Sequence, residues 1–334
     1  MDKVLICVLG QIRADKLTWD SFNNNLKQVL NADLALCIGD SDANNDNNQY
    51  WKNSKYKFIT NEYDDFGVGY DQLQSKYLGL DIEKPDWRVL MSVKDQWLGG
   101  IKGEGQHPGS AGILLYFRAI LKDFLVDNKL VENYDWFIIT RSDFIWLVKH
   151  PGIEFFKNYD ICIPYGEHHG GITDRHIIIN KKNVVQVLSV LDKFLTDPIA
   201  LKNEMIFFKH WNLELFLWSY ISKLNYKIKY MPYVMYSVRT DDVSTRWSQG
   251  VYSKNFGYYL KYPDEFSRAL ISQKIYKITG HKGPLFNLFF SNLFLFLLFI
   301  KFRKIYEFKV HLIFYLNKFS FLNKLTRKFL DFIR

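Results

Sequence analysis

Apolar residues in the first half of this chain come in short unbroken runs separated by polar, glycine-containing segments. Residues 4–9 are continuously apolar, which predicts a strand buried on both faces. The run ends at Gly10-Gln-Ile-Arg13. Residues 19–30 have helical spacing and residues 32–38 form a second apolar run, so strand, helix and strand follow one another. That order predicts a βαβ unit and a parallel sheet, whose ligands bind beyond the carboxyl ends of the strands. Gly10 and Arg13 lie at such an end.

Residues 40–48 form an acidic, Asn-rich loop, and the chain reads as irregular from there to about residue 105. Gly109-Ser-Ala-Gly112 opens a helix over residues 113–126. Residues 136–140 are the next buried strand, ending at Arg141-Ser-Asp143. Further strands are predicted at 160–164, 177–179 and 227–238, and helices at 184–195 and 211–224. From Pro284 the pattern changes. Residues 285–300 are sixteen residues without a charge, short of the roughly 20 needed to cross a bilayer. Residues 306–334 mix Phe and Leu with Lys at near-helical spacing, as an amphipathic helix lying in a membrane interface does. The chain therefore divides at the sequence level into a body, 1–283, and a membrane-associating tail, 284–334.

The net charge of +9 acquires meaning once it is located. Between Lys301 and Arg334, nine Lys and Arg stand against Glu307 and Asp331, so the tail carries +7 and the body only +2. A nearly neutral body with a basic, greasy tail points to an anionic membrane surface and not to nucleic acid, and no nucleic-acid-binding signature accompanies it. Cys7, Cys37 and Cys162 fit no metal spacing and sit in apolar surroundings, as buried thiols of a reducing compartment do. The apolar stretch at the N-terminus is too short for the core of a signal peptide and reads as the first strand. The expected localisation is cytoplasmic, peripherally attached to the inner face of a membrane.

Candidate chemistry clusters at the predicted strand ends. Asp143 follows an apolar strand, where a carboxylate can hold a divalent cation such as Mg²⁺ or Mn²⁺ against a diphosphate. Arg141 is placed to pair with a phosphate as a two-pronged donor. Gly170-Gly-Ile-Thr-Asp-Arg-His176 combines two glycines, which permit close backbone approach, with Asp174, Arg175 and His176. Glu214 is a carboxylate on an otherwise apolar helix, either held by a partner or kept for acid–base work. Arg239, Arg246 and Trp247 follow the last strand, and His281 is a further metal candidate.

The order of these pieces resembles that of a family of GT-A-like polysaccharide and lipopolysaccharide glycosyltransferases of bacteria and large viruses. The resemblance covers roughly residues 3–265. It rests on Gly10 to Arg13, Gly109-Ser110, Tyr134-Asp135 through Arg141-Ser-Asp143, Gly170-Gly-Ile-Thr-Asp-Arg175, Glu214, and Arg239 with Arg246-Trp-Ser248. It implies a GT-A-like (Rossmann-like) α/β fold, a mixed, mostly parallel sheet flanked by helices, to which the residue pattern adds a helical, basic and apolar C-terminal extension. It also implies transfer of a sugar from a nucleotide-sugar donor to a surface glycan or glycolipid. On that reading Gly10, Arg13, Arg141, Asp143, Arg239 and Arg246 bind the donor, and Asp143 and His281 hold metal. Asp174 and Glu214 are the catalytic candidates. Gly170, Gly171, Arg175, His176 and Trp247 face the acceptor. Arg141 stands where many such enzymes have a first Asp. The alternatives are a sugar-phosphate transferase or nucleotidyltransferase, and a non-catalytic glycan-binding protein.

Overall fold

The computed structural model describes residues 2–93, 98–103, 109–206, 211–241 and 248–279. The boundary expected at 283 and the tail beyond it lie outside these residues, as do Arg246, Trp247 and His281. Among the described residues no helix is long and apolar enough to cross a membrane.

The fold is α/β. Its strands in chain order are β1 (Val4–Leu9), β2 (Asp33–Gly39), β3 (Tyr56–Thr60), β4 (Trp136–Thr140), β5 (Phe144–Trp146), β6 (Ile161–Pro164), β7 (Ile177–Asn180), β8 (Ile228–Met231), β9 (Met235–Arg239), β10 (Val251–Ser253) and β11 (Tyr258–Leu260). Seven of them form a central sheet in the order β3-β2-β1-β4-β7-β6-β8. It is mostly parallel: β1 pairs in parallel with β2 and β4, β2 with β3, and β6 with β8. β7 runs antiparallel to both its neighbours, β4 and β6. β5, β9, β10 and β11 make a second, four-stranded sheet in the order β10-β11-β9-β5.

The unbroken apolar run of β1 follows from burial on two sides. Leu5, Cys7 and Leu9 enter one core, which lies beneath the helices Gly67–Leu78, Ala111–Asp127 and Leu213–Ser222. Val4, Ile6 and Val8 enter the other, shared with the helix Asp15–Phe22, with Phe144, Trp146, Met235 and Val238 of the small sheet, and with Ala269 of the helix Pro263–Thr279. Alternate side chains of a strand point to opposite faces, so two apolar layers require every position to be apolar.

Four local expectations need correction. The stretch read as irregular contains β3 and the helix Gly67–Leu78. Gly67 and Gly69 weigh against a helix by propensity, yet a Cβ on Gly69 would lie 2.7 Å from the Tyr116 ring, so close helix packing needs the missing side chain. The segment 227–238 is two strands in different sheets, parted before β9 by Pro232, which cannot donate to a ladder. The helix expected at 184–195 is three short turns, Val184–Leu188, Ser189–Leu191 and Asp192–Thr196. The helix Asp15–Phe22 begins earlier than expected and widens into a π-turn at Asn23–Lys27.

The reversed direction of β7 positions the site. A strand running against β4 starts where β4 ends, and Ile177 pairs with Ile139 accordingly. The Gly170–His176 loop precedes β7. It therefore arrives at the same sheet edge as the loops that follow β1 and β4.

Candidate functional site

Gly10 leaves β1 with φ +77°, a left-handed turn that glycine adopts without strain, and its N–H donates to the Cys37 carbonyl at 3.0 Å. The loop after it is fastened at two points. The Ile12 N–H donates to Asp42 Oδ2 at 2.8 Å. The Arg13 N–H donates to Ser142 Oγ at 2.9 Å, and that hydroxyl donates in turn to the Gln11 carbonyl at 3.3 Å. Ser142, the middle residue of the Arg-Ser-Asp motif, thus ties the loop after β1 to the loop after β4. Gln11 Oε1 accepts from Arg13 Nε at 3.1 Å and from Nη2, which orients the guanidinium.

Asp143 is 2% exposed, and both of its oxygens are occupied. Oδ1 accepts from Arg141 Nε at 3.2 Å, and Oδ2 accepts from Arg141 Nη2 at 3.0 Å and from Arg239 Nη1. Burial opposes the charge, but Arg141, Arg239 and Lys261 outweigh it and hold the carboxyl well below the ordinary range. The same burial acts on the surrounding cations. It lowers Arg13 to about 10, helped by repulsion from Arg239 and Arg141. Lys261, which follows β11, is pushed well below its ordinary range by burial and then by Arg141 and Arg239. Arg13, Arg141, Arg239 and Lys261 therefore gather around Asp143. Arg239 itself is fully buried, and its Nε and Nη2 have no hydrogen-bond partner among the described residues. Buried guanidinium donors are ordinarily satisfied, so these two point to a group that the described residues do not supply.

A pair of carboxylates adjoins this basin. Asp174 is buried, and its backbone carbonyl accepts from Arg118 Nη2 at 2.9 Å. Glu214 lies in the first turn of the helix Leu213–Ser222, which Asn212 caps through the Leu215 N–H at 2.7 Å. The glycine loop touches this helix directly. The Ile172 N–H donates to the Glu214 carbonyl at 3.0 Å, and a Cβ on Gly171 would lie 2.0 Å from that oxygen. Burial and then the Asp174 charge push the Glu214 carboxyl up to about 7, the reverse of what happens to Asp143. Asp174 also favours the charged form of Arg141, so the carboxylate pair and the cationic basin are electrostatic neighbours. Gly170 turns the loop with φ +91° in open space.

Two residues expected at an acceptor surface have other partners. Arg175 is buried. Its Nη1 donates to Glu265 Oε1 at 2.6 Å, its Nη2 lies 3.5 Å from Glu167, and its guanidinium sits 4.6 Å from the centre of the Tyr262 ring. Glu265 in turn accepts from Tyr233 and Ser237. The Arg of Gly-Gly-Ile-Thr-Asp-Arg thus fastens the loop to the helix Pro263–Thr279. His176 is fully buried, with Nε2 at 3.3 Å from His150 Nε2, Nδ1 at 3.2 Å from Thr140 Oγ1, and its ring edge-on to Trp146. Burial and then His150 hold it well below its ordinary range, a neutral core imidazole out of an acceptor's reach.

Lys261, Gln11, Ser142 and Arg118 were not legible as site residues. Lys261 reaches the basin only through β11–β9 pairing, where Leu260 lies opposite Val238. No short-range spacing signals that approach. No protein-family model and no curated protein matches the chain.

Proposed function

We propose that this protein is a glycosyltransferase that takes a sugar from a nucleotide-sugar donor and places it on a glycan or glycolipid acceptor. The observation that carries the reading is the contrast at one sheet edge. A cluster of cations, of which Arg239 is fully buried with two unpartnered guanidinium nitrogens among the described residues and the others half-buried, lies beside a carboxylate whose proton affinity is raised to near neutrality. Glycosyl transfer with inversion uses both. The anomeric carbon–oxygen bond breaks toward a diphosphate, whose departing charge needs fixed cations. The acceptor hydroxyl loses its proton to a base as its oxygen bonds to that carbon, and a base with a pKa near the working pH does this best. Glu214 is the base in this reading. Asp174 raises its pKa and, in the same reading, holds acceptor hydroxyls. Arg13, Arg141, Arg239 and Lys261 receive the nucleoside diphosphate.

The GT-A-like assignment of the fold is part of the same proposal. The parallel half-sheet, its continuation past one reversed strand, and a small second sheet beyond the Asp143 strand end support it. So is the tail: its +7 charge and its Phe and Leu content support peripheral attachment to an anionic, cytoplasmic membrane face, close to a glycolipid acceptor.

The deciding experiment incubates full-length protein with a panel of nucleotide sugars and follows nucleoside diphosphate release. Release of diphosphate from one donor, accelerated by a glycan or glycolipid fraction, is the expected result. Release of monophosphate would instead identify a sugar-phosphate transferase. No turnover with any donor, together with glycan binding, would identify a binding protein.

A further inference from the structure

A divalent cation is the usual bridge between a strand-end carboxylate and a donor diphosphate, and Asp143 is the residue expected to hold it. The residues present do not fit that role. Both Asp143 oxygens accept from guanidiniums, Arg141 from one side and Arg239 from the other. Among the described residues no group of three or more His, Cys, Asp or Glu is placed to hold a metal ion. What surrounds Asp143 is largely positive: Arg141 and Arg239 touch it, and both repel Arg13 on one side and Lys261 on the other.

Resting on the transferase reading, we infer that the site binds the donor's diphosphate directly, through Arg239, Arg13, Arg141 and Lys261, without a bridging metal. Asp143 is a positioning residue for the two arginines. Three observations converge on this. Among the described residues Arg239 keeps two buried N–H-bearing atoms, Nε and Nη2, unpartnered while its Nη1 is tied to Asp143 and to the Val238 carbonyl. A guanidinium anchored at one nitrogen, with its other donors unmet, is preorganised for two-pronged contact with phosphate oxygens. Next, Arg141 and Arg239 repel both Arg13 and Lys261 even with Asp143, Asp42 and Asp174 nearby, and an entering diphosphate of about two negative charges would relieve that repulsion. Lastly, the loop carrying Arg13 is held by Ser142 beside Asp143, so that cation is fixed before any ligand arrives.

The test is calorimetric titration of full-length protein with inorganic pyrophosphate, once in EDTA and once with excess Mg²⁺ or Mn²⁺, with nucleoside diphosphates and geranyl diphosphate as competitors. Binding in EDTA within about threefold of the cation value, displaced by a nucleoside diphosphate, is the expected result. Arg239→Lys keeps a charge for Asp143 but loses the fork, and Lys261→Met removes a charge from a partly exposed site. Each should weaken pyrophosphate binding in EDTA by about 10- to 100-fold, the worth of a charge-assisted hydrogen bond, with the far-ultraviolet circular dichroism unchanged. Binding that requires the divalent cation overturns the inference and leaves the transferase reading standing. The inference also falls if pyrophosphate binds in neither buffer, if both variants bind as the parent does, or if only geranyl diphosphate competes. Metal-free binding without turnover of any nucleotide sugar would sustain this inference and remove the transferase reading.

Discussion

Asp143 and Glu214 show how far one residue type can be driven in opposite directions by its surroundings. Asp143 is enclosed by guanidiniums and held ionised; Glu214 faces a second carboxylate in a half-closed place and holds its proton to about 7. The two invite different tests. Asp143→Asn leaves the buried Arg239 and the half-buried Arg141 without their shared counterion, and losing one partner of a buried pair typically removes about 3–5 kcal/mol of stability. Denaturant unfolding should show that loss, and an unchanged midpoint would mean that the arginines find another partner. Glu214 works the other way. Because its folded pKa is raised above the unfolded value, it contributes stability below about 4.5 that is lost as pH rises through about 7. Glu214→Gln should therefore flatten the fall in melting temperature between those pH values. It should also cut transfer by about 100-fold or more, the usual worth of a positioned base. A variant that keeps parental turnover at pH 8 would assign the base elsewhere. Much of this was readable beforehand: an acid at the end of an apolar run and an acid on an apolar helix are both visible in a string of letters. The partners that set their opposite behaviour, Arg239 and Asp174, are 96 and 40 residues distant from them, and sequence does not say which distant groups meet.

Among the elements, the helix Pro263–Thr279 was not anticipated, yet it secures the glycine loop. Its buried Glu265 gathers Arg175, Tyr233 and the Ser237 amide and hydroxyl, joining the loop before β7, the turn before β9 and β9 itself. Glu265→Gln should destabilise the protein by about 3–5 kcal/mol, since Arg175 would lose its principal counterion inside the fold. Hydrogen exchange should then rise first in the Gly170–His176 loop. Protection that changes only within the helix would show that the loop stands without it. β1 and the apolar interiors of β2 and β4 were legible because two-sided burial calls for apolar side chains on both faces. β5, β10 and β11 were not, being only three residues each. Their existence depends on pairing partners far along the chain.

At the scale of the molecule, the parallel half of the sheet followed from the strand–helix–strand order, because parallel neighbours collect the loops after their strands at one side. The reversal of β7 did not, since an apolar strand reads alike in both directions. The tail gives the prediction that belongs to this scale. Full-length protein should bind vesicles containing anionic lipid, and removal of residues 285–334 should abolish that binding. High salt should weaken it only in part, because apolar insertion survives screening. Protein that stays in solution beside such vesicles would refute peripheral attachment.

The three cysteines sit inside these layers. Cys7 and Cys37 belong to one core of the central sheet and Cys162 to the other. Burial raises all three thiols well above their ordinary range, so none presents a thiolate in the folded protein. They are consequently a built-in clock. An alkylating reagent reaches them only when a layer opens, and peptide mapping after timed exposure distinguishes the layers. If the sheet unfolds as a unit, all three sites should be modified at one rate that no longer depends on reagent concentration once the reagent outruns reclosing. Earlier modification of Cys162 alone would mean that the layer beneath the small sheet, where Arg239 is anchored, opens before the rest.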